Sequence, residues 1–138
     1  MSRDELLGRS AASWMGDVWS SDTDPPGATA ALAMAMQLRA ASVPRDALEL
    51  VVVAWSSALD GLAPGASLPS DRAHALDRAL AIQTRDLPAL AAWTAPLRAR
   101  CRVAEDLDHV IQFLLRTLTT WRLTEAIAQA DQRLTGGP

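Results

Sequence analysis

The sequence predicts an all-α protein, a single compact bundle of about six helices built by helical-hairpin packing, and three observations predict it. The 138 residues include 27 Ala and 20 Leu, whereas Val, Ile and aromatic residues are few, a composition that favours helices over strands. Apolar residues recur at helical spacing in one segment after another, the period of an element with one buried face. Turn chemistry at Ser20 to Gly27 and at Gly61 to Pro69 separates these stretches. A chain of this length buries one sizeable core without disulfides, so one domain over residues 1–138 is expected, with a flexible tail at about 135–138.

Each element follows from local signals. Ser2 and Glu5 read as a capping box opening a helix from about Arg3 to Trp19, with Leu7, Ala11, Trp14 and Val18 on one stripe. From Ala28 to Ala41 only Thr29, Gln37 and Arg39 are polar, which predicts a central helix buried nearly all round. Ser42 is the expected cap of a third helix, with Pro44 in its first turn and Leu48, Val51, Val52, Trp55 and Leu59 facing the core, and Asp60-Gly61 is its stop. Taken alone, Val51-Val52-Val53 would suit a strand, but the helical period runs on for more than three turns. Ser70 is the expected cap of a fourth helix, with Ala73, Leu76 and Leu80 inward. Asp86 and Pro88 open a fifth, which Pro96 is expected to kink or restart. Arg98, Arg100 and Arg102 precede Glu105, Asp106 and Asp108; cations favour helix C-termini and anions N-termini, so a boundary belongs between Cys101 and Ala104.

The sixth helix carries Leu107, Val110, Ile111, Leu114, Leu118 and Trp121 on one side. Leu123, Ile127, Ala130 and Leu134 fall roughly opposite if rotation continues at about 100° per residue. Either the helix breaks near Thr119, Thr120 or Thr124 and folds back on the bundle, or its end docks on a second copy or another protein. An approximate 40-residue repeat, Arg45-Asp46 with Ala54-Trp55 and Arg85-Asp86 with Ala92-Trp93, supplies two loose copies, too few for a solenoid.

Charge and composition exclude several functions. All 13 cations are Arg, the net charge is -3 and the pI is near 5.2, which speaks against nucleic acid as a partner. The acidic start lacks the basic and apolar regions of a signal peptide. The longest uncharged apolar run, Ala28 to Met36, is about half of the ~20 residues that span a bilayer. A lone cysteine, Cys101, implies no disulfide, and a cytoplasmic protein is expected.

Three constellations are candidates for chemistry or binding. Asp71 with His74 and Asp106 with His109 each place an acid and a histidine three residues apart on a helix, the spacing of ferritin-like di-metal bundles, although those bundles use Glu. Cys101 lies among Arg98, Arg100 and Arg102, cations that lower a thiol pKa; the alternative is a small buried hydrophobe. Trp14, Met15 and Trp19 form a candidate partner-binding spot, with packing under Pro25-Pro26 as the alternative. Phosphate-cradling loops and nucleophile elbows are absent from the sequence, and no cofactor is expected.

Pro44-Arg45-Asp46-Ala47 leading to Trp55, then Ser70-Asp71-Arg72-Ala73 with Leu76-Asp77, then Arg85-Asp86 before an Ala-rich segment resembles an uncharacterised all-helical bacterial domain family of unknown function. The resemblance covers Val43 to Trp93; the family's Trp-Trp pair and its downstream Gly/Pro-rich motif have no counterpart here. It implies a neighbourhood of secretion-system genes and an accessory or adaptor role, and no active site. The expectation is a non-enzymatic interaction domain that binds another protein or itself, through Trp14, Met15, Trp19, Leu123, Ile127, Ala130 and Leu134. The alternatives are a metal-binding bundle and a thiol-dependent enzyme.

Overall fold

The structure, a computed structural model, describes residues 11, 13–19 and 27–135. The expected capping box at Ser2, the helix start at Arg3, the loop at 20–26 and the tail at 136–138 lie outside the described residues. Six helices are found among those described: α1 Met15–Trp19, α2 Ala28–Ala40, α3 Arg45–Leu59, α4 Ser70–Gln83, α5 Pro88–Arg100 and α6 Ala104–Thr135. They pack as an all-α bundle, and a single β-bridge between Ser67 and Val103 is the extended pairing present in that part. α6 is the hub, with α1, α2 and α3 packed against it. No described helix is long and apolar enough to cross a membrane.

The helix ends show how local chemistry sets the architecture. Gly27 starts α2 at φ 77° and has no side chain to cap it. Asp17 of α1 supplies the missing acceptor, taking the Ala30 N–H at 2.7 Å, so one helix caps the next. α2 ends in a Schellman motif: the Val43 N–H donates to the Leu38 carbonyl and the Ser42 N–H to that of Arg39, each at 3.0 Å. Ser42 holds the left-handed position at φ 61°. It therefore closes α2 rather than capping α3, contrary to expectation, and Pro44 precedes the first residue of α3 with no side-chain cap. Ser70 likewise starts α4 as a helical residue behind Pro69, without a capping bond. Both serines are displaced by prolines whose fixed φ makes the entry turn.

α5 runs through Pro96 as one helix, so the expected restart is absent. The boundary between α5 and α6 falls where the charges placed it, at residues 101–103. Asp106 secures it from the third helical position, its carboxylate accepting the Arg102 N–H at 2.9 Å and the Val103 N–H at 3.2 Å, half of a capping box. The Ala104 N–H, an orphan donor of the first turn, reaches the Ala66 carbonyl at 2.8 Å. The Gly/Pro-rich linker is thus stitched to the start of α6.

The core has Trp55, Trp93, Phe113, Met34 and Leu114 at its centre. Trp93 stacks on Phe113 with ring centroids 6.2 Å apart, and its Nε1 donates to Gln37 Oε1 at 2.8 Å. Leu48, Val51 and Trp55 are buried as the α3 stripe predicted, and residues 51–53 are helical. α2 is less central than its composition suggested. Leu32 and Met36 on its outer side are exposed.

Candidate functional site

The predicted core stripe of α6, from Leu107 to Trp121, is buried throughout, and the helix continues without a break to Thr135. None of the threonines expected to interrupt it does, and the hydroxyls of Thr119 and Thr124 bond back into the helix itself. Thr117 and Thr119 donate to the carbonyls four residues back, and Thr124 to that of Trp121. Fold-back of the final segment is therefore excluded by helical continuity.

A polar clasp holds the helix where it leaves the bundle. Glu125 accepts from Trp121 Nε1 at 2.8 Å and from Arg45 at 2.8 Å. Arg122 reaches Glu49 at 3.1 Å, and Arg39 donates to the Thr124 hydroxyl at 2.6 Å. Beyond the clasp every residue of 126–134 is exposed. From within the clasp out along this overhang run Leu123, Ile127, Ala130 and Leu134, at alternating four- and three-residue steps, one seam of a helix. Leu123 is 60% exposed, Ile127 55% and Leu134 83%. Large aliphatic side chains open to solvent along one helical seam mark a candidate contact surface.

Trp14, Met15 and Trp19 stand elsewhere. All three are half-buried and packed against the core. α1 lies beside the first half of α6, where Val18 lines a cavity of about 240 Å³ with Phe113 and Arg116, so the overhang and α1 form no common surface. Arg100 covers the Trp19 ring at 4.6 Å from its centroid. The Trp19 indole N–H is buried and has no acceptor among the described residues.

The four residues of the metal reading are not brought together. Among the described residues no three of His, Cys, Asp and Glu form a group able to hold a metal ion. Asp106 serves the backbone of the α5–α6 junction, the His109 Nδ1 meets the Glu105 carbonyl at 2.9 Å, and Asp71 and His74 are exposed on α4.

Cys101 is buried, and its thiol donates to the Leu97 carbonyl at 3.3 Å. Burial pushes the thiol up to about 12, Asp106 adds to the rise, and Arg98 opposes it. The expected activation by neighbouring arginines is overturned. Arg98 is committed to Asp77 through two bonds of 2.7 and 3.3 Å, and Arg100 to Trp19.

A second surface escaped the sequence reading. α3 and α4 enclose an open groove of about 320 Å³ whose lining includes Leu50, Val53, Ala54, Ala75, Ala79 and Gln83. Leu50 and Val53 are 55% and 60% exposed. The signal for it was present: Leu50, Val53, Ala54 and Ser57 follow helical spacing on the face next to the core stripe.

No family model, no curated protein and no solved structure matches this chain.

Proposed function

We propose that the protein is a non-enzymatic protein-interaction domain, an adaptor whose binding element is the free end of α6. The observation that carries this reading is the exposed seam Leu123, Ile127, Ala130 and Leu134 on a helix that projects past its own bundle. A three-turn apolar seam of this kind suits helix-in-groove or coiled-coil recognition. The engaged state of the arginines supports the same reading against nucleic acid: Arg45, Arg98 and Arg122 are paired with carboxylates, and Arg72 caps α3 through the Ala58 and Asp60 carbonyls. The proposal includes a bacterial, cytoplasmic setting near a secretion system or another multiprotein assembly. The sequence resemblance over residues 43–93 supports that part. The half-buried Trp14, Met15 and Trp19 belong to packing in this reading, not to the binding surface.

The test is the double substitution Ile127→Asp with Leu134→Asp. The variant keeps the thermal midpoint of the parent and loses self-association or capture of its partner, because exposed positions alter stability by no more than about 0.5 kcal/mol. A variant that melts far earlier while association persists would contradict the reading.

A further inference from the structure

We draw no further inference here: the strongest candidate, the open apolar groove between α3 and α4 lined by Leu50, Val53, Ala75 and Ala79, carries nothing, because nothing in the structure shows what covers it.

Discussion

Trp55 has no exposed surface and sits in one buried cluster with Leu48 and Val51. Trp55→Ala is expected to cost about 3–5 kcal/mol, the loss of a buried large aromatic plus the cavity it leaves; a lowered midpoint in chemical denaturation checks it. Ser42 tells the opposite story, a residue kept where glycine is better suited. Its left-handed φ of 61° strains a side chain that Gly lacks, so Ser42→Gly should raise stability by up to about 1 kcal/mol, read as a higher thermal midpoint. Cys101 makes a prediction in pH. Its folded-state pKa of about 12 lies above the ordinary 9.0, so the native state holds the proton more tightly than the unfolded chain does. The stability this gives is complete below about pH 9 and is lost as pH rises toward 12. Replacing Cys101 with Ala should flatten that alkaline loss, and in the parent the thiol should be alkylated at pH 8 far more slowly than free cysteine.

Among the elements, α6 shows most clearly what the sequence made legible and what it did not. The period of Leu107 to Trp121 and the charge reversal across Cys101 were enough to locate the core stripe and the helix start. Both depend on interactions within a few residues. The continuation past Thr124 was not legible, because it depends on Arg39, Arg45 and Glu49, far away in sequence, gripping the helix as it leaves the bundle. The serine caps failed for a different reason. Ser42 and Ser70 are good cap residues in isolation, but Pro44 and Pro69 occupy the position just before each helix. The groove of Leu50 and Val53 was hidden by the same limit, since the Val51–Val53 run marks a buried α3 without saying which valine faces out. The Asp106 cap is testable: Asp106→Ala should cost about 1 kcal/mol, and amides 66–68 of the linker should exchange faster because the junction they pair with loosens. The same variant should show no change in metal content, since Asp106 serves backbone N–H groups.

At the scale of the whole molecule, the bundle is complete without its last three turns. α1, α2 and α3 all pack on α6, whose core stripe ends at Trp121, and residues 126–134 are exposed and add nothing to the core. On the proposed reading this helix end, held in place by the clasp of Arg39, Arg45 and Glu49, is a surface for a second copy or another protein. Hydrogen exchange along α6 across a concentration series tests this account most directly. The account predicts that amides 107–121 are protected at every concentration, whereas amides 126–134 are protected only when the protein is concentrated and lose protection on dilution or in Ile127→Asp with Leu134→Asp. Protection of residues 126–134 that survives dilution and both substitutions would contradict it, since the segment would then belong to the fold of a single chain.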